Sequence, residues 1–239
     1  MGQHRREPLS VPHRGISLAH DSNPVVFLDV QVPKKGEGVE QSSPSSRLLF
    51  ELFLDLAPTL ATNMYELCIG GCTRLVDLRP QAAGYKGTVL HDTLVGQYVV
   101  GGDVMDAGGT GFFSALGDRQ GPLPVPPGEL QALEQSALAR CERHPGLYMQ
   151  YWNQTTPPVP GTAKVASTFR IDTVAPGVAS KMPADAVLIG RLVARGAEQQ
   201  SASERQLAEI AKAIFHAKRA GSPQQRRELF PVITSCGEM

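Results

Sequence analysis

The sequence predicts a mainly β fold with a few helices, and three observations carry that prediction. Short apolar and β-branched runs recur along the chain: VVFLDVQV after Pro24, RLLFELFL over 47–54, PGLYMQYWN over 145–153, STFRIDT over 167–173, AVLIGRLV over 186–193 and FPVITSCGE over 230–238. The central stretch 84–103, GYKGTVLHDTLVGQYVVGGD, adds GTVLH and QYVV, punctuated by Gly84, Gly87, Gly96, Gly101 and Gly102. Glycines so spaced permit positive φ or close backbone approach, so they read as turns and bulges between strands. Helical periodicity, by contrast, is confined to a few segments.

Taken in order, residues 1–22 form a polar tail that something outside the domain must hold if it is ordered. The first two strand runs flank the turn-rich KKGEGVEQSSPSS and make a hairpin. A helix starts at Pro58 and Thr59, carries Leu60, Met64, Leu67 and Cys68 at helical spacing, and stops at Gly70 and Gly71. Residues 73–83 read as a loop. Four prolines at 122, 124, 126 and 127 lead into 129–143, where Leu130, Leu133, Ala137 and Leu138 make an amphipathic helix. After three more strands, 203–220 is a helix with Leu207, Ile210, Ala211, Ile214 and Phe215 on one face, capped by Ser201 or Ser203 and ended by Gly221.

The 239 residues suffice for one core with insertions, and no internal repeat is visible. Lys plus Arg balance Asp plus Glu at 23 each, and no basic run exceeds a pair, so direct nucleic-acid binding is not expected. No apolar run approaches the roughly 20 residues of a membrane helix. The N-terminal residues lack the apolar core of a secretory signal, and Arg6 stands where a myristoylation motif needs Ser or Thr. The expected compartment is the cytoplasm. A mitochondrial presequence is the alternative, favoured by Arg5, Arg6 and Arg14 but opposed by Pro8 and Pro12. Cys68, Cys72, Cys141 and Cys236 follow no zinc spacing and read as free thiols in a reducing compartment. No metal or cofactor is implied.

The order of several motifs resembles the cyclophilins, the cyclosporin-binding prolyl isomerases. Gly-Tyr-Lys-Gly at 84–87, His91, Gly101-Gly102-Asp103 and the Gly-Thr-Gly of 109–111 resemble that family's active-site segment. Asn23 to Asp29, the Phe-Glu-Leu-Phe of 50–53, Ala57-Pro58 with Asn63, and Cys236-Gly237 fall where the family has them. The resemblance implies a closed eight-stranded antiparallel barrel over 23–239, capped by two helices, with insertions at about 73–83 and 112–144 and an inserted helix. It also implies an outer groove for an Xaa-Pro peptide.

An Xaa-Pro bond turns slowly because amide resonance sets a barrier of roughly 18–20 kcal/mol. By resemblance, an arginine after His91 would donate to the twisting amide, yet Asp92 stands there and supplies only acceptors when ionised. The pocket phenylalanine and methionine fall on Gln97 and Tyr98, and an orienting glutamine on Val100. Across the groove the matches are Thr168, Arg170, Lys181 and Ala186, and the small floor pair becomes Tyr151 and Trp152, which are expected to fill part of the trough. His91 reads as a core histidine and Asp103 as a turn acid. The resemblance further implies a possible redox pair of Cys68 and Cys236. The expected function is a catalytically impaired pseudo-isomerase that binds a protein partner, whether a Pro-containing segment or a large assembly, with cyclosporin binding weak or absent. The alternative is an active prolyl isomerase acting in protein folding.

Overall fold

The computed structural model describes residues 15–33, 45–76, 79–106, 108–153, 161–175 and 182–239. In chain order the elements are β1 (Val25–Gln31), β2 (Ser46–Leu52), α1 (Pro58–Ile69), β3 (Cys72–Val76), β4 (Arg79–Ala83), β5 (Leu90–Leu94), β6 (Tyr98–Gly101), β7 (Leu123–Pro124), α2 (Pro127–Arg140), β8 (Gly146–Tyr151), β9 (Lys164–Asp172), β10 (Ala186–Val193), α3 (Ala197–Ala217), α4 (Pro223–Leu229) and β11 (Val232–Glu238). Eight strands form one curled antiparallel sheet in the order β11-β1-β2-β10-β8-β9-β6-β5, and β7 adds to the end of β9. Among the described residues, no helix is long and apolar enough to cross a membrane.

The barrel is open, which corrects the expected closed one. Its edges, β5 and β11, meet through a single bridge between Val89 and Val232 instead of a ladder. Backbone bonds at that seam run from Gly87 to Ile233 (2.7 Å), from Leu90 to Pro231 (2.8 Å) and from Ile233 to Thr88 (2.9 Å). Two features stop the zipper. Pro231 has no N–H to donate. Gly87 takes φ 85°, so the turn closed by Thr88 N and Tyr85 O at 3.0 Å keeps the approach to β5 out of strand geometry.

Alternation assigns the two faces of the sheet. Leu90, Val99, Leu147, Met149, Phe169 and Ile171 point inward and are fully buried. Helix α1 adds Leu60, Met64, Leu67 and Cys68 to that core, and α3 adds Leu207, Ile210, Ala211 and Ile214.

Helix α1 begins with Pro58 in its first turn and ends on Gly70 in the left-handed region, as its sequence implies. Its own N-cap, Ala57, offers no side-chain acceptor. The cap comes from α2: Glu129 accepts from Thr59 N at 2.9 Å and Leu60 N at 3.1 Å. At its other end, α2 is fixed by the bidentate pair of Arg140 with Asp55, at 2.8 and 2.7 Å. It also packs against β10.

Several expectations need correction. The loop expected at 73–83 is the hairpin β3–β4, paired from Cys72 with Ala83 to Val76 with Arg79. Helix α3 starts at Ala197 on Gly196, with neither Ser201 nor Ser203 capping it; Ser203 is buried in its core face. It ends at Ala217, ahead of Gly221, and a further short helix, α4, follows with a capping box of Ser222 and Gln225. The N-terminal segment from Gly15 to Ser22 is held by the domain itself. Ile16 and Leu18 pack on Val25, Leu49 and Val193. Glu51, wholly buried, accepts from Ala19 N (2.8 Å), Asn23 Nδ2 (2.8 Å) and Arg191 Nε (2.8 Å), while Arg191 Nη2 reaches Ser17 O at 3.1 Å. A buried ion pair needs its remaining donors and acceptors filled, and this segment fills them.

Candidate functional site

The site is built on the outer face of β5, β6, β9 and β8. Leu90 pairs with Gly101 and Asp92 with Val100, so His91 is the extra residue of a bulge. The bulge turns Leu90 inward and Asp92 outward. His91 lies between, with Nε2 against Gly109, where an added Cβ would sit 2.7 Å away. Burial pushes the His91 imidazole below its usual range, against the opposing charges of Asp103 and Asp92.

Asp103 organises the loop that packs on His91. Its carboxylate accepts from the amides of Met105 (2.8 Å), Asp106 (3.4 Å), Gly109 (2.7 Å) and Gly111 (3.1 Å). Burial alone would raise this carboxyl, but the Asp106 side chain and those amides hold it below its ordinary value. Asn63 of α1 fixes the far end of the loop, accepting from Ala115 N at 2.8 Å and Leu116 N at 3.2 Å.

Register places the outward residues in a row, Asp92 beside Val100, Val100 beside Arg170, and Arg170 beside Tyr148. Asp92 forms an ion pair with Lys218, just past the end of α3; their side chains are 48% and 47% exposed. Arg170 is the expected groove residue whose position matters most. Its Nε and Nη2 donate to Asp172 Oδ1 at 3.2 and 3.0 Å, and Nη1 stands 3.9 Å from Asp185. Its guanidinium lies 4.1 Å from the ring centre of Tyr98 and 5.4 Å from that of Tyr148. Tyr148 donates to the other Asp172 oxygen at 2.8 Å. Burial raises the Asp172 carboxyl, opposed by these two donors.

Of the other expected positions, Gln97 is exposed in the β5–β6 turn, while Val100, Thr168 and Ala186 are buried. Thr168 Oγ1 is shielded from solvent and without a partner among the described residues. Tyr151 is buried in the core, where burial and the charge of Glu134 push its hydroxyl up to about 12. Trp152 is half-buried, its amide bonded to Lys164 O at 2.8 Å. Lys181 lies outside the described residues. Cys68 and Cys236 are unbridged. Burial raises both thiols, Cys68 well above its ordinary value.

No family model matches the sequence. A structural likeness covers 91% of this chain and 89% of the Mimivirus cyclophilin, with a TM-score of 0.52 at 19% identity. The fold is cyclophilin-type. In sequence, the chain is 31% identical over 102 residues to peptidyl-prolyl cis-trans isomerase 11 of Caenorhabditis elegans, 43% of this chain and 49% of that one. It is 35% identical over 79 residues to peptidyl-prolyl cis-trans isomerase H of Mycosarcoma maydis, 32% of this chain and 47% of that one. The chain thus spans about half the length of the curated relatives it matches.

Sequence reasoning singled out Asp92 and Arg170 but missed their partners. Arg170 and Asp172 are two apart in a strand and so share a face, a signal present in the run RID. Lys218 is 126 residues from Asp92, and no local pattern announces it.

Proposed function

We propose that this chain is a cyclophilin-fold binding module whose isomerase chemistry is disabled, acting as a protein-binding subunit of a larger assembly. The observation that carries the reading is that the charged groups on the outer row are already committed to one another. Lowering the barrier to rotation about an Xaa-Pro bond requires a free donor aimed at the prolyl amide as its resonance is lost. Asp92 offers acceptors, and its counter-ion Lys218 is spent on it. Arg170 carries a guanidinium, but Asp172 takes two of its donors and Tyr98 takes a face. The proline ring would meet Tyr98 and Arg170 where an apolar pocket is needed.

The experiment is isomerisation of a short Xaa-Pro peptide by the purified chain, together with titration of cyclosporin. The expected result is a rate indistinguishable from the uncatalysed one, with weak or absent cyclosporin binding. A rate far above background sinks the reading.

A second reading, an active isomerase, is favoured by the names of the two relatives and by a guanidinium standing next to Val100 on the row. In that case Arg170→Leu would abolish the measured rate, which identifies Arg170 as its donor.

A further inference from the structure

Helix α3 buries one face in the barrel mouth and leaves the other uncovered by any of the described residues, and that face has an ordered chemistry. Arg205, Lys212, His216 and Arg219 are all exposed. At 3.6 residues per turn their positions fall within about 60° of one another, making a line about 21 Å long. Lys218 keeps a helical backbone, with φ −59° and ψ −20°, so Arg219 stays close to that line. From Ile210 to Arg227 the sequence holds Lys212, Lys218, Arg219, Arg226 and Arg227 and no acid. The chain's zero net charge therefore conceals a local excess of cations here.

Along one flank of the line runs a groove of about 680 Å³, between α3 and the facing ends of β1 and β2, with Val32, Ile210 and Ala213 in its lining. Gln206 also lines it, and its Oε1 is shielded from solvent without a hydrogen-bond partner among the described residues. Along the other flank stands Phe215, a 39% exposed aromatic. Two acids interrupt the pattern: Glu209, paired with Lys212 at 2.7 Å, and Glu198 in the first turn.

We propose that this face of α3 docks an acidic amphipathic helix of a partner protein, with apolar side chains in the groove and carboxylates on Arg205, Lys212 and Arg219. Cations at Arg205, Lys212 and Arg219, seven residues apart, match the side-chain spacing of a helix laid alongside. Guanidinium forks bind carboxylates in pairs, which suits Arg205 and Arg219. A nucleic acid fits less well, because a stacking base would have to share Phe215 with Arg219, which lies over the ring at 4.1 Å, and with the edge-on His216 ring 5.8 Å away. The surface is separate from the outer-row groove and holds whether or not the chain is an isomerase.

The test is a fluorescence-anisotropy titration of the full chain with a synthetic helical peptide of about 18 residues, carrying leucines on one face and glutamates beside them. Binding is expected with Kd on the order of 10 µM. It should weaken about tenfold or more in the triple variant Arg205→Glu, Lys212→Glu, Arg219→Glu, and again on raising salt. Ala213→Trp, which fills the groove without changing charge, should also weaken it. Circular dichroism melts establish that both variants are folded. Equal binding of the same peptide with lysines for glutamates, unchanged affinity in the triple variant, or no binding up to about 1 mM overturns the proposal. Tighter binding of a uridine-rich single-stranded RNA, lost in the same variant, also overturns it, by reassigning the face to nucleic acid. The triple variant should leave the isomerisation measurement unchanged, so the two readings fail independently.

Discussion

The two faces of β9 carry opposite kinds of residue. Inward, Phe169 and Ile171 are wholly buried, and Phe169 meets Tyr85 edge-on with ring centres 5.1 Å apart. Gly102, at φ 78°, makes room for that contact, since a Cβ there would lie 2.4 Å from the Phe169 ring. Outward, Arg170 and Asp172 form a tight ionic and aromatic cluster with Tyr98 and Tyr148. Because side chains alternate with period two, one strand can keep its contribution to the barrel while its outer chemistry is rewritten. Fold and groove are therefore separable properties of the same residues.

The largest effect that would sharpen this comparison is on the inner face. Phe169→Ala should cost about 3–5 kcal/mol by denaturant unfolding, as truncation of a buried aromatic does. On the outer face, Arg170→Leu should cost less, about 1.5–3 kcal/mol, because it leaves Asp172 buried without its charged donor. If the two variants unfold at the same denaturant concentration, the separation of faces fails.

Smaller still is the effect of pH, where two buried carboxyls act with opposite sign. Asp103 lies below its ordinary value when folded, so its contribution is present above the unfolded value of about 3.9 and is lost as pH falls through the folded one. Asp172 lies above its ordinary value, so the folded state holds the proton longer, and stability declines as pH rises from about 3.9 through that raised value. Carboxyl-carbon NMR titration should find the two on either side of that reference. In unfolding experiments, Asp172→Asn should remove the decline with rising pH and Asp103→Asn the loss on acidification.

The smallest change expected is for Asp92→Ala, within about 0.5 kcal/mol, since a half-exposed pair with Lys218 contributes little. A cost several times larger would make that pair a structural anchor of α3, breaking its reading as a surface feature.

Much of the fold was legible because its signals are local. The run 186–193 is β10 to the residue, an apolar stretch with no competing helical period. Helix α1 announced both ends through Pro58 and Gly70. The hairpin β3–β4 escaped because RPQAA lacks β-branched residues and is mostly exposed. The start of α3 escaped because Gly196 supplies no side-chain cap to notice. Helix α4 did leave a trace, Ser222 followed by Gln225. In the site, the identity of Asp92 was readable, but not the ammonium from another element that neutralises it. Nor could sequence foresee the open seam, which depends on two segments far apart in the chain.

The glutamate that α2 lends to α1 changes how the segment expected to be an insertion should be regarded. It is woven into the domain, since the helix plugging the barrel has no N-terminal acceptor of its own and borrows Glu129. Excising residues 122–143 to recover a minimal barrel would uncap that plug and strip Asp55 of Arg140 in the same cut. What looks in one dimension like an appendage is, in three, a keystone.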